Sequence, residues 1–401
     1  MKNKIYYGKA IYGKDEISAS LNVLKKKSLS LMDGENVKKI EKTVAKIFGK
    51  KFGLMVNSGS SANLLGLLSL NLPKNSEVIT PSLTFSTTIS PIYQSNLIPK
   101  FIDVKKNFFV ANTEQIEKSV NKNTKAIMIP NLLGNIADWE KIHKIAKKYN
   151  LKVIEDSADT IGYTYKRGNT GKLSDIVTNS FYASHIVTGA GFGGIVCFND
   201  RKIYEKAKLL RGWGRSSATF NESESVKKRF NCKVDNIDYD SKYVFEDLGY
   251  NFLPSEISAA FALQQIKRLK RVVNRRVENF EIIKNFFKKH EEIFDIPEQY
   301  SFIKTAWLAY PIVIKPNSGI KRKDLQIFLE KRGIQTRTIF TGNIMRQPIM
   351  KNKIYKRNFD SNKISDNVMT NGLLIGCHHG LFKKDLNIIF SNIDKFLKEH
   401  L

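Results

Sequence analysis

The sequence predicts an α/β fold: a mostly parallel sheet with helices on both faces, followed by a smaller C-terminal α/β domain. Three observations carry that expectation. The chain has 401 residues, enough for one large domain and a smaller one. Short apolar runs alternate with amphipathic helical spacings as far as Phe198, and strand, helix, strand in that order is how parallel sheets are built. From Ser255 the pattern changes to a long helical run, which marks a second unit.

Taken in order, Val37, Ile40, Val44 and Ile47 recur at helical spacing, and Gly49 ends the run. Leu54-Met55-Val56 is a short buried strand that leads through Asn57-Ser58-Gly59-Ser60-Ser61-Ala62-Asn63 into a helix over Leu64 to Leu70. Strand candidates follow at Glu77-Val78-Ile79-Thr80, Phe101-Ile102-Asp103-Val104, Ala126-Ile127-Met128-Ile129, Val153-Ile154 and Gly194-Ile195-Val196-Cys197-Phe198, with a helix over Asp138 to Tyr149. The helical run from Ser255 reaches about His290, then come an apolar stretch from Trp307 to Ile314 and a helix from Arg322 to Lys331. A domain boundary is expected inside the long helix, giving a larger domain with an N-terminal arm over 1–265 and a smaller one over 266–401. No repeat or low-complexity linker separates them.

Hydrophobic residues make up 42% and charged residues 26%, a globular composition that excludes disordered and collagen-like classes. The formal charge is +28, from 66 basic and 38 acidic residues. The lysines are spread over amphipathic stretches such as Lys141-Ile142-His143-Lys144-Ile145-Ala146-Lys147-Lys148, so they read as solvated helix faces; a positive field that draws in a dianionic ligand is the functional counterpart. No nucleic-acid partner is expected. Met1-Lys2-Asn3-Lys4-Ile5-Tyr6-Tyr7 carries no apolar leader core, and no apolar run reaches the roughly 18 residues of a membrane span, so a soluble cytoplasmic protein without a membrane partner is expected. The three cysteines, Cys197, Cys232 and Cys377, are too scattered for a metal-binding pair and read as reduced, mostly buried residues.

The chemistry concentrates in a few stretches. In Ser58-Gly59-Ser60-Ser61, small residues at a helix start let backbone amides close on a phosphate with the helix dipole assisting, although Ser-rich starts also serve as plain caps. Phe85, in Pro81-Ser82-Leu83-Thr84-Phe85-Ser86-Thr87, is either a stacking residue or one of 25 phenylalanines in the core. Val153-Ile154-Glu155-Asp156-Ser157-Ala158-Asp159 sets an acid at the carboxyl end of a strand, where doubly wound sheets keep their ligands and where an Asp also caps a following helix. Ser180-Phe181-Tyr182-Ala183-Ser184-His185 contributes an imidazole, whose ordinary pKa of about 6.5 suits it to moving protons. In Arg211-Gly212-Trp213-Gly214-Arg215 the guanidinium groups suit a diphosphate or sugar hydroxyls, or the element is a packed turn. Asn251, in Leu248-Gly249-Tyr250-Asn251-Phe252-Leu253-Pro254-Ser255-Glu256, is a ligand candidate or part of a helix-capping turn.

In order and spacing, Gly59-Ser60, Phe85, Asp156, the run from Ser180 to His185 and Asn251 resemble the DegT/DnrJ/EryC1/StrS sugar aminotransferases of the aspartate-aminotransferase superfamily. The likeness covers about residues 30 to 265 and extends less sharply into Arg337-Thr338-Ile339-Phe340-Thr341-Gly342-Asn343 and Gly376-Cys377-His378-His379-Gly380-Leu381. It implies the type I fold of pyridoxal 5'-phosphate enzymes and a homodimer with shared active sites. In the family a Ser-Phe-x-x-x-Lys run supplies the lysine that carries the cofactor; here His185 stands at that position, and an imidazole cannot hold the aldehyde covalently. This combination resembles the nucleotide-sugar 3-dehydratase branch.

That resemblance implies a cofactor held without a covalent bond, by Gly59, Ser60 and Ser180 at its phosphate and Asp156 at its ring nitrogen. It also implies Phe85 against the ring, Asp159 on the ring-hydroxyl side and Asn251 reaching the phosphate in the partner subunit. L-glutamate would convert the cofactor to pyridoxamine 5'-phosphate, and His185 would be the catalytic acid-base group. The reaction implied is C3 deoxygenation of a nucleotide-linked 4-keto-6-deoxy sugar, GDP-linked favoured, with ammonia released, for dideoxy sugars of surface polysaccharides. Arg211, Trp213 and Arg215 are the candidate substrate contacts, and no metal is expected. One dehydratase branch carries an iron-sulfur cluster on four clustered thiolates, which three scattered cysteines cannot supply, so no iron-sulfur cluster is expected. Gly189-Ala190-Gly191-Phe192-Gly193-Gly194 departs from the family's Gly-Glu-Gly-Gly and implies a reshaped loop after His185. The alternatives are an aminotransferase using Lys172 or Lys202, and a noncatalytic binder of sugar nucleotides or nucleic acid.

Overall fold

The computed structural model describes residues 4–26, 31–166, 168–219, 225–358 and 362–400; Met1-Lys2-Asn3 of the N-terminal stretch discussed above lie outside them. The main sheet comprises β1 (Phe52–Val56), β2 (Glu77–Pro81), β3 (Ile98–Ile102), β4 (Thr124–Pro130), β5 (Lys152–Asp156), β6 (Ile176–Ser180) and β7 (Gly194–Phe198). They run in the order β1-β7-β6-β5-β4-β2-β3, and Lys356–Arg357 adds an eighth, two-residue strand beside β3. Pairing is parallel from β6 to β3, and β7 is antiparallel to both of its neighbours.

Alternate residues of each strand enter different cores, as the two-residue period of a pleated strand requires. Ile127 and Ile129 of β4 pack with Val37, Ile40 and Val44 on one face. Ala126 and Met128 pack with Leu65 and Ala207 on the other. A strand buried on both faces reads as a continuous apolar run, which is why β4 and β7 are visible in the sequence. Strand β6 is not, because its last three residues, Thr178, Asn179 and Ser180, are polar and nevertheless buried. Partners compensate for that burial: Asn179 Nδ2 donates to the carbonyls of Ser157 and Thr160, and Thr178 Oγ1 donates to Asn63 Oδ1.

Helix α1 (Lys14–Lys25) lies in the N-terminal arm, and α2 (Glu35–Phe48) ends at Gly49, whose φ of 70° is the left-handed cap glycine favours. Helix α3 (Gly59–Ser69) starts five residues before the expected Leu64, because Ser58 caps it from outside. The long run from Ser255 is two helices, Glu256–Lys267 and Leu269–Phe287, broken where Arg268 takes φ −101° and ψ 5°. Arg268 there pairs with the buried Glu16 of α1, a tertiary contact that local spacing could not reveal. We propose this break as the boundary between the larger domain of residues 1–265 and the smaller one of 266–401. Beyond it an antiparallel sheet of four strands, Phe294–Asp295, Ala309–Ile314, Gly372–Gly376 and Arg337–Thr338, builds its own core with Phe280, Leu325 and Ile389. Cys197 and Cys377 are buried, Cys232 is half-buried, and all three are free thiols. Among the described residues no helix is long and apolar enough to cross a membrane.

Candidate active site

A cavity of about 580 Å³ opens where β5 and β6 end and α3 begins. Seven of the residues singled out from sequence line it: Gly59, Ser60, Phe85, Asp156, Asp159, Ser180 and His185. The turn from β1 into α3 supplies the first two. Ser58 is extended (φ −161°, ψ 161°), and its hydroxyl accepts the Ser61 N–H at 3.0 Å. The amides of Gly59 and Ser60 belong to the first helical turn, where no intrahelical acceptor exists, and the helix dipole favours an anion beside them.

Gly59 is required by close approach: a Cβ there would sit 2.5 Å from Ser180 Cβ and 2.9 Å from its Oγ. Gly59→Ala is therefore expected to push the start of α3 away from the end of β6. Overpacking of this kind costs about 1–3 kcal/mol. Thermal denaturation should show the loss, and titration of the purified protein with pyridoxal phosphate should show weaker binding; wild-type affinity would remove this junction from the phosphate site.

Asp156 ends β5 and is almost fully buried. Its Oδ2 accepts from Asn63 Nδ2 and from Thr88 Oγ1, both at 2.9 Å, and its Oδ1 accepts the Ala158 N–H at 3.1 Å. Burial pushes its pKa up, and the three donors oppose that. Oδ1 receives one donor where Oδ2 receives two, which leaves it room for a cationic N–H in the cavity. Sequence reasoning missed Asn63 and Thr88. The signal for Asn63 was available: a polar residue inside the apolar run Ala62-Asn63-Leu64-Leu65 has to be bonded to something.

His185 lies in a turn closed by its own N–H donating to the Tyr182 carbonyl at 3.0 Å. Its Nδ1 is 3.4 Å from the Ser180 carbonyl and its Nε2 is 3.9 Å from Asp159 Oδ1. A carbonyl only accepts, so Nδ1 carries the proton and Nε2 keeps its lone pair. Burial pushes His185 down to about 4, with the Ser180 carbonyl opposing, so the ring is neutral at neutral pH. Burial pushes Asp159 up to about 7; its Oδ2 accepts the Leu133 N–H at 2.8 Å. Ser180 Oγ accepts from the Tyr182 N–H at 3.2 Å, leaving its own proton to donate. Phe85 is 49% exposed and meets Phe340 edge-on at 5.8 Å, so its face is open to a ligand. In the loop from Gly189 to Gly194, Ala190, Gly191 and Gly193 have φ of 55°, 99° and 121°, and Phe192 comes to the cavity wall.

Four sequence candidates do not line the cavity within one chain. Arg211 is buried, and its guanidinium donates to Asp33 Oδ2 (2.9 Å), Glu41 Oε1 (3.1 Å) and the Met55 carbonyl (2.9 Å). Those contacts tie α2 to β1 and occupy both Nη1 and Nη2 of the guanidinium. Arg215 stacks at 4.3 Å on the ring of Trp213, whose φ is 63°, beside Tyr243 and Phe245. Asn251 is exposed, with its backbone bridged to Gly212. Conversely Tyr7, Leu308 and Phe340 line the cavity and come from the N-terminal arm and the C-terminal part of the chain; no local motif marks Tyr7 or Leu308, whereas Phe340 lies in the stretch Arg337 to Asn343 that carries the weaker part of the resemblance.

A family model matches residues 11–394. The chain belongs to the DegT/DnrJ/EryC1/StrS aminotransferase family. Lipopolysaccharide biosynthesis protein RfbH of Salmonella typhimurium is 34% identical over 367 residues, covering 89% of this chain and 84% of that protein. GDP-4-keto-6-deoxy-D-mannose 3-dehydratase of Escherichia coli is 33% identical over 375 residues, covering 90% and 92%. A crystal structure of GDP-4-keto-6-deoxymannose-3-dehydratase with a trapped PLP-glutamate geminal diamine is 28% identical, with a TM-score of 0.85 over 99% of this chain and 100% of that one. The fold is thus the type I α/β fold of this family. The site also suits pyridoxal phosphate on its own terms: a buried acid with an open lone pair, first-turn amides, and a cradle at Gly59 that a Cβ would fill.

Proposed function

We propose that this chain is a pyridoxal 5'-phosphate/pyridoxamine 5'-phosphate-dependent 3-dehydratase of a nucleotide-linked 4-keto-6-deoxy sugar, GDP-linked by preference, with L-glutamate as amino donor. The observation that carries the reading is the cavity wall: among the described residues lining it there is His185 and no lysine. Lys172 and Lys202, the lysines an ordinary aminotransferase would have to recruit, are both exposed and do not line it. The similarity to RfbH, a lipopolysaccharide biosynthesis protein, supports a place in surface-polysaccharide assembly, and we place the enzyme in the cytoplasm.

Gly59, Ser60 and Ser180 would hold the phosphate, Asp156 the ring nitrogen, Phe85 the ring face and Asp159 the ring-hydroxyl side. When bound, the cofactor supplies an electron sink that lets a hydroxyl leave the carbon beside the one bearing its amine. His185 does the proton work at Nε2, the nitrogen of a half-buried, neutral ring that lines the cavity beside Asp159. An ammonium group at this position would return the proton to the sugar's C4 and complete a transamination; the imidazole leaves the C3 hydroxyl to depart. Net, the sugar loses its C3 oxygen while glutamate becomes 2-oxoglutarate and ammonia, so no outside reductant is needed. Mass analysis and an ammonia assay on GDP- and CDP-linked 4-keto-6-deoxy sugars with glutamate test this. A product lighter by one oxygen, with ammonia, is expected; an amino sugar without ammonia would make the enzyme an aminotransferase, and unchanged substrate a noncatalytic binder.

A shared site in a homodimer belongs to the same reading. Support comes from exposed apolar residues in the segment that leads to Asn251: Val226 is 72% exposed, Ile237 65% and Leu248 91%. If Asn251 serves the partner's phosphate, then mixing inactive His185→Asn and Asn251→Ala chains builds one intact site in each mixed dimer. Activity should return to roughly a quarter of the sites by counting alone. No recovery after verified subunit exchange would put Asn251 in its own subunit's site or outside it.

A further inference from the structure

We infer that Arg276, outside the cavity wall and in no motif, is a positioning residue that holds Asp159 toward His185 through a relay of backbone hydrogen bonds. Arg276 lies in the helix Leu269–Phe287, is fully buried, and has no carboxylate partner among the described residues. Its Nη1 donates to two consecutive carbonyls, Trp307 at 3.1 Å and Leu308 at 3.0 Å. Nε and Nη2 have no hydrogen-bond partner among the described residues. A buried, unpaired guanidinium is costly to keep, which is the observation that asks for a reason.

The reason lies in what the clamped segment does. The Leu308 N–H donates to the Leu133 carbonyl at 2.7 Å, and the Leu133 N–H donates to Asp159 Oδ2 at 2.8 Å, leaving Asp159 Oδ1 facing His185 Nε2 at 3.9 Å. Leu133 holds φ 59° and ψ 11°, a left-handed conformation that a leucine keeps only when its surroundings fix it. The next residue, Gly134, has φ 85° and lies so close to the clamped segment that a Cβ would sit 2.7 Å from the Ala306 carbonyl oxygen and 3.2 Å from the Leu308 nitrogen. The cation clamps 307–308, that peptide pins the strained 133–134 turn, and the turn aims the carboxyl. The same charge adds to burial in disfavouring a protonated His185, while the Ser180 carbonyl opposes both.

The inference rests on the proposed role of His185, but its test does not need the substrate. Amide hydrogen exchange of the full-length protein is measured for Arg276→Gln and for Gly134→Ala, which displaces the clamped segment and keeps the cation. Exchange at the Leu133 and Leu308 amides should quicken on the order of tenfold, with Ile127 in the central strand unchanged. In the dehydration assay kcat should fall on the order of 10²-fold with KM nearly constant, and the loss should vanish in an Asp159→Asn background. Uniform quickening across the sheet, unchanged exchange at Leu133, or losses that add to that of Asp159→Asn would each overturn the relay. If Arg276→Gln fails to fold, Gly134→Ala decides. If no dehydration is found in the wild-type protein, the exchange pattern still decides.

Discussion

Replacing His185 with asparagine should leave pyridoxal phosphate bound and lower dehydration by about 10²- to 10⁴-fold, the usual worth of a positioned acid-base group. Asparagine keeps the approximate size and can still donate to the Ser180 carbonyl, so the turn from Tyr182 to His185 is retained, but it has no lone pair of useful basicity. Binding should survive because the proposed phosphate and ring-nitrogen contacts are those of Gly59, Ser60, Ser180 and Asp156, which the change leaves in place. Absorbance of the bound cofactor and product formation, measured on the same sample, separate the two effects. A wild-type dehydration rate would assign the proton work to another group. His185→Lys is the complementary change. Borohydride should fix no cofactor to the wild-type peptide that contains residue 185, should fix it to that peptide in the lysine variant, and should leave the variant stalled or transaminating. A reduced lysyl adduct near residue 185 in the wild type would sink the noncovalent reading. The pH profile follows with its sign: burial lowers His185 to about 4, so the base form persists as pH falls through the ordinary histidine range near 6.5, and the acid limb of kcat/KM that belongs to His185 lies below that range.

Asp156→Asn should have the next largest effect, a loss in kcat on the order of 10²- to 10³-fold, as for other groups that stabilise developing charge. Asn63, Thr88 and the Ala158 amide all point donors at this side chain. An asparagine amide would turn a donor toward at least one of those donors, or toward the cofactor's ring nitrogen. The fold should tolerate the change at roughly the cost of one hydrogen bond, about 1 kcal/mol, because burial already disfavours the charged form. Cofactor affinity by titration, and kcat after saturation with cofactor, distinguish weaker holding from a weaker electron sink. Unchanged kcat at saturation would remove Asp156 from the ring-nitrogen role.

The amino-acid sequence by itself determined the elements whose apolar pattern is local. Buried strands β4 and β7 read as continuous apolar runs, α2 as a 3.6-residue repeat closed by Gly49, and the residues of the cavity wall from Gly59 to His185 as short motifs at strand ends, where side chains must face outward from the sheet. Only the tertiary structure decided what depends on long-range partners. Strand β6 is buried although polar, because Asn179 and Thr178 find acceptors on other segments. The helical run from Ser255 breaks at Arg268, where an arginine meets Glu16 of the arm. Arg211, read from the sequence as a substrate contact or part of a packed turn, is drawn inward by Asp33 and Glu41, which no spacing connects to it. The same holds for Tyr7, Leu308 and Arg276. A pattern along the chain records which face of an element is buried, but a charge or a strained turn is satisfied by whichever distant group the fold delivers, and that is known only once the chain has closed on itself.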